Sequence, residues 1–188
     1  MKRFDCEDIG TLTEYVGCKI EQDYFNGSIH FTQPVMIKRF TDKFPEKRKE
    51  RKCVAPADYG TVLVDTKSGE GLSKPKHKYF RYGVGKMRHM TRWSCPEIQN
   101  TVRDLTRHGI NPNEAHIQAM NHVMKYCVNA PNRVWYLKPD ITWYGKYNSF
   151  RFIIVGESDS DYENFPVTRN SVSGSDTFLK GAHVTVKG

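Results

Sequence analysis

Apolar and polar residues alternate near the start of the chain, where Val16, Cys18 and Ile20 interleave with Gly17, Lys19 and Glu21. A two-residue period is that of a half-buried strand, because successive side chains point to opposite faces. Ile29 and Phe31 alternate with His30 and Thr32 in the same way, and Asn26-Gly27 stands between the two runs. That dipeptide suits a type I′ turn, whose two central residues both need positive φ. Pro34 then opens a segment in which Met36, Phe40 and Phe44 recur at the helical period. The pattern predicts a ββα unit over residues 1–45.

Periodicity weakens over residues 46–73. The run PEKRKERK fits a solvated helix end or loop, and KSGEGLSKPK fits a flexible connector rich in Gly and Ser. A boundary between subdomains is placed there. Helical spacing returns over residues 76–128, within a subdomain set at 74–130. Phe80, Val84, Met87 and Thr91 line one face, and Gly83 and Gly85 either weaken this helix or let another element pack close. Ser94-Cys95-Pro96-Glu97 has the form of a capping box, a hydroxyl at the N-cap and a carboxylate three residues on. Asn111-Pro112-Asn113-Glu114 repeats the device ahead of a stripe of Ile117, Met120, Val123, Met124 and Cys127. Methionines at this spacing are core.

Strand patterns resume beyond Pro131. RVWYLKP and FRFIIVG flank the loop DITWYGKYNS, and Thr177 to Val186 reads as a hairpin turning at Lys180-Gly181. Residues 131–149 serve as a connection and 150–188 as a β-rich end of about three strands. The fold class is therefore α+β: a ββα unit, a small three-helix subdomain, then antiparallel strands.

Composition adds a sign to this outline. The 188 residues carry 29 Lys+Arg against 21 Asp+Glu, a net charge of +8, with a pI near 9.2. Such an excess suits a polyanionic partner, nucleic acid first, and equally fits a solvated basic surface. No apolar run is long enough to span a bilayer and no signal peptide is evident, so no membrane partner is expected. Cys6, Cys18, Cys53, Cys95 and Cys127 are odd in number and scattered, which suggests thiols in a reducing compartment. His116, His122 and Cys127 lack the spacing of a metal motif and read as structural or surface residues.

Two features bear chemistry. The apolar run Phe152, Ile153, Ile154, Val155 leads to Asp159 and Asp161, which share a face if the strand continues that far. Clustered carboxylates are what two-metal phosphodiester cleavage requires, although a pair cannot hold two ions, and only Glu163 and Asp176 follow. An acidic loop after a strand has the same spacing. The second feature runs from Lys74 to Trp93. It holds Lys74, Lys76, Lys78, Arg81, Lys86, Arg88 and Arg92, no Asp or Glu, and interleaved Tyr79, Phe80, Tyr82 and Trp93. Cations in such a run track phosphates, and those aromatic faces not used in the core stack on sugars or bases.

Several segments together resemble the polymerase and ribonuclease H region of copia-type LTR retrotransposon Pol polyproteins. DIGTLTEYVGCKIE, with Gly10, Leu12, Tyr15, Gly17 and Ile20, resembles the segment after the reverse-transcriptase catalytic motif, and IHFTQPVMIKRFTDKF the strand and helix that follow it. YFRYGVGKMRHMTRWSCPEI resembles the family's Tyr-x-x-x-Val-Gly … Arg-Pro-Asp-Ile block, and HIQAMNHVMKYC its next helix. GESDSDYENFPVTRNSVSG resembles the Ser-Asp-Ala-Asp-Trp … Arg-Ser-x-Ser-Gly signature that opens ribonuclease H. The matches fall in the family's order across nearly the whole chain.

The resemblance implies that residues 1–45 end a polymerase palm, with a turn near Gly17 that grips the primer terminus. It implies a helical thumb at 74–130 whose cations follow template–primer duplex or RNA–DNA hybrid, and the first strands of an incomplete ribonuclease H-like fold at 150–188. Asp159 corresponds to the first catalytic, Mg²⁺-binding carboxylate there and Asp161 to the second acid of the signature. The family's Tyr-x-Asp-Asp would lie before Met1 and the later ribonuclease H acids beyond Gly188, so the missing palm and ribonuclease H segments of the same polyprotein are the implied partners. Cys95, Asn170 and Ser175 depart from the family pattern, which has Arg, a basic residue and an aromatic there. The expectation is a fragment of an RNA-directed DNA polymerase/ribonuclease H that binds nucleic acid without catalysis on its own. Its place would be cytoplasm or nucleus, within virus-like particles of an intact element. The alternative is a domesticated, non-enzymatic nucleic-acid-binding or assembly protein, whose C-terminal strands pair with a partner across an exposed edge.

Overall fold

A computed structural model of the chain describes residues 7–8, 10–43, 53–67, 70–129, 134–138, 153–161, 172–179 and 182–187. At residues 43, 161, 172 and 185–187 only the backbone is described. Phe44, the charge run at 45–52, the loop at 140–149, Phe152, Glu163 and the Lys180-Gly181 turn lie outside these ranges. The described part is α+β, with helices packed together and two antiparallel sheets.

Glu14–Tyr15 (β1), Cys18–Asp23 (β2) and Ser28–Thr32 (β3) pair in sequence, and Trp135–Leu137 (β4) adds to β3, giving the order β1-β2-β3-β4. Alternation along β2 holds: Cys18 and Ile20 are buried, while Lys19 and Glu21 are exposed. The expected type I′ turn at Asn26-Gly27 is not formed. Tyr24 to Gly27 make a four-residue connection between the paired Asp23 and Ser28, with Gly27 at φ 65° and Asn26 outside the positive-φ region. The Asp23 carboxylate accepts the backbone N–H of Phe25 at 2.9 Å and of Asn26 at 3.2 Å, an Asx arrangement that outcompetes the tighter turn. Positive φ at two successive residues occurs instead at Val16 (51°) and Gly17 (72°), between β1 and β2. A β-branched residue there is a steric outlier.

Pro34–Lys43 (α1) follows the first hairpin. Lys74–Trp93 (α2), a 3₁₀ turn at Pro96–Ile98, Gln99–Arg107 (α3) and Glu114–Asn129 (α4) follow the connector. Phe80, Val84, Met87 and Thr91 of α2 are all buried, and so is the α4 stripe from Ile117 to Cys127. Phe40 of α1 joins the same core. Gly83 faces α4 so closely that a Cβ would overlap Met120 Sδ and Met124 Cε, whereas one at Gly85 would meet nothing. Of the two glycines, only Gly83 serves close packing.

Both expected capping boxes are redrawn. Ser94 ends α2 instead of starting the next helix, and its buried hydroxyl donates to Gln33 Oε1 at 2.7 Å. At α4 the cap is Asn113, not Asn111: its Oδ1 accepts the N–H of Ala115 at 3.0 Å and of His116 at 3.3 Å. His116 Nδ1 returns the bond by accepting the Asn113 N–H at 2.9 Å, the place a Glu or Gln takes in a standard box.

Ile154–Asp161 (β5), Val172–Leu179 (β6) and Ala182–Lys187 (β7) form the second sheet in the order β5-β6-β7. The C-terminal hairpin thus begins five residues before the expected Thr177, at Val172, because β6 pairs with β5 along its whole length (177 − 172 = 5). The two sheets meet where Trp135 Nε1 donates to the His183 carbonyl oxygen at 3.0 Å.

Candidate nucleic-acid interface

Helix α2 sorts its cations by angle. At 3.6 residues per turn, Lys74, Lys78, Arg81, Gly85, Arg88 and Arg92 fall within a sector about 80° wide. All six are exposed, and the five cations run for about 27 Å along the helix at 1.5 Å per residue. Gly85 interrupts the ridge near its middle with open space above its backbone. Lys74, His77, Lys78, Arg81 and Tyr82 line a shallow, open depression at the helix start. Cations near an N-terminus oppose the helix dipole, so an anion is favoured at this end on both counts.

Two expected members leave the row. Lys76 lies on another side of α2, ion-paired with Glu114 at the start of α4. Lys86 is also off the sector, its Nζ 4.0 Å from the centre of the Tyr82 ring. The aromatic expectation narrows too. Phe80 is core, Tyr79 donates its hydroxyl to Asn121 Oδ1 at 2.8 Å, and Trp93 packs edge-on against Tyr15 at 5.6 Å. Tyr82, 55% exposed, is the aromatic of the four presented at the surface.

Gly17 is brought beside this row. His89 Nε2 bonds the Val16 carbonyl oxygen at 3.1 Å, and the Cys18 thiol reaches the Trp93 carbonyl oxygen at 3.6 Å. Burial pushes the Cys18 thiol up, so it acts as packing and not as a nucleophile. The strained Val16–Gly17 turn therefore rests on the C-terminal half of α2. The sequence reading missed His77, His89 and Val16. His77 and His89 lie at helical spacing from the cations and were legible; Val16 was not, because its docking depends on the sheet.

The carboxylates are placed differently. β5 does continue through Asp161, so Asp159 and Asp161 occupy one side of the sheet, together with Glu157 two residues earlier. Asp176 stands across from Glu157 on β6, with its Oδ1 3.3 Å from His183 Nε2. Asp159 faces Gly174 across the strands and is exposed. Among the described residues no group of three or more His, Cys, Asp or Glu could hold a metal ion.

His116 is buried in the α4 cap, and His122 bonds the Ala55 carbonyl oxygen at 3.0 Å with Cys53 Sγ 3.5 Å from the same ring nitrogen. Cys127 is core. Among the described residues no helix is long and apolar enough to cross a membrane. A scan against protein-family models and searches of curated proteins and of solved structures found no match to this chain.

Proposed function

We propose that this chain is a nucleic-acid-binding part of a copia-type retrotransposon reverse transcriptase. On this reading the first sheet and α1 end the palm, α2 to α4 form the thumb, and β5 to β7 begin a ribonuclease H-like fold. The observation that supports it most is the row Lys74, Lys78, Arg81, Arg88 and Arg92 on one exposed side of α2, a helix without a carboxylate. Five cations in line suit the phosphates of an RNA–DNA hybrid or template–primer duplex, and the gap at Gly85 lets a strand approach the helix backbone. The Val16–Gly17 turn borders the same path.

The proposal is of binding. Among the described residues no group of three or more His, Cys, Asp or Glu that could hold a metal ion stands around Asp159.

The test is equilibrium binding of a labelled RNA–DNA hybrid across a salt series. Affinity is expected to fall with a log–log slope of roughly −4, the value for four or five phosphate contacts. Replacing Arg81 or Arg88 by Gln is expected to reduce that slope by about 1 each, at all sequences alike. A slope left unchanged by these substitutions, or no binding at low salt, rejects the reading.

A further inference from the structure

Between the 56–63 segment, α3 and α4 lies a cavity of about 300 Å³. The segment is tied down on either side of it. At one end the His122 ring of α4 bonds the Ala55 carbonyl oxygen at 3.0 Å, and at the other Leu63 packs on the helical core. Between these anchors the chain makes a tight turn: the Thr61 N–H donates to the Asp58 carbonyl oxygen at 3.2 Å, with Gly60 at φ 76°. Asp58, Thr61, Thr101, Asp104, Gln118 and His122 line the cavity with polar groups, and Val62, Ala115 and Ala119 add an apolar wall. Among the described residues lining it, two are carboxylates and none is Lys or Arg, in a chain of net charge +8.

Acceptors short of donors mark the polar side of this cavity. Among the described residues Asp104 Oδ1 is buried without a hydrogen-bond partner, the Arg103 guanidinium standing 3.7 Å off, beyond hydrogen-bond reach. His122 Nε2 carries a proton to serve the Ala55 carbonyl oxygen, which leaves Nδ1 as the acceptor of a neutral ring. That nitrogen faces a second acceptor, Asp58 Oδ2, at 3.4 Å, and the donor beside it is the weak Cys53 thiol at 3.7 Å. We propose that the cavity binds an alkylguanidinium, its head among Asp104, Asp58 and His122 and its stem against Val62, Ala115 and Ala119. The planar N–H fork reaches acceptors on all three walls at once, and a guanidinium gives up its hydration more readily than an ammonium. A volume of about 300 Å³ is at the lower limit of ligand pockets and suits a charged head on a short stem. The group arrives as a free small molecule or as an arginine side chain of a partner polypeptide.

The site is independent of the nucleic-acid reading and is tested without nucleic acid. The intact chain is titrated with N-butylguanidinium and, separately, with its neutral isostere N-butylurea, while amide NMR shifts are followed. Saturable shifts are expected at Asp58 to Leu63 and at Ala115 to His122, with the cation bound about 10-fold more tightly. Asp104→Asn is expected to erase that preference. Ala115→Leu, at an exposed position of α4, places bulk in the cavity and is expected to abolish saturation by either ligand. If Asp104→Asn does not fold, Ala115→Leu carries the test. A capped Gly-Arg-Gly peptide separates the two sources: binding as tight as that of N-butylguanidinium assigns the cavity to a partner's arginine, and weaker binding assigns it to a free small molecule. Equal affinities for the cation and the urea overturn the proposal, since a cavity that merely holds water has no such preference. A preference kept in Asp104→Asn overturns it too, and so do shifts that survive Ala115→Leu, which would mark charge attraction elsewhere on the surface.

Discussion

The helices and the C-terminal sheet handle their apolar residues in opposite ways. Every member of the main core, from Phe40 to Val128, comes from α1 to α4 and the turns between them. Phe80, Met87, Met90 and Leu105 are wholly removed from solvent. At the start of β5, by contrast, Ile154 and Val155 are 68% and 45% exposed, and Ile153 just before it is 48% exposed. The second sheet is well paired along its strands, and among the described residues it meets the first sheet at Trp135 and His183. Backbone pairing alone leaves a sheet marginal, because stability in water comes from covering an apolar face. The helical subdomain has that cover and the described β5 does not.

The contrast can be broken most directly at Phe80. Phe80→Ala is expected to cost about 3–5 kcal/mol and to lower the melting temperature of the helical signal sharply. A loss below about 1 kcal/mol would mean the helices do not share one packed core. An intermediate effect is expected at the seam between the first sheet and the helices. Ser94→Ala removes the hydroxyl that donates to Gln33 Oε1, and Gln33 Nε2 is already buried without a partner. The expected cost is about 1–2 kcal/mol by denaturant unfolding, with Ser94→Cys no substitute. The smallest effect belongs to β5: Ile154→Thr is expected to stay within about 0.5 kcal/mol. A cost near that of Phe80→Ala would show that something covers β5 and would erase the comparison.

What could be read from sequence follows the same division. The stripes of α2 and α4 were legible because both burial and period are local to a helix. The cation row was legible for the same reason, being five positions of a single helix. What failed was anything decided by a distant partner. Ser94 has the spacing of an N-cap, but Gln33, 61 residues away, takes its hydroxyl. Lys76 counted among the cations until Glu114, 38 residues on, claimed it. The hairpin turn was misread at closer range, since Asp23 offered the chain a competing bond that a dipeptide rule ignores. Asp159 and Asp161 lie two residues apart on one strand, but spacing along a strand cannot supply the further ligands that a metal needs.

The sulfur content of the helical core has a use of its own. Met87, Met90, Met120 and Met124 are each at most 2% exposed, with Met120 and Met124 laid against Gly83. Thioethers are readily converted to sulfoxides by peroxide, and conversion makes an apolar side chain polar. While the helices stay closed, these four sulfurs are shielded from oxidant; once oxidised they no longer fit the space that Gly83 leaves. Oxidation of this core therefore reports opening of the helices, written in methionines that a closed molecule shields.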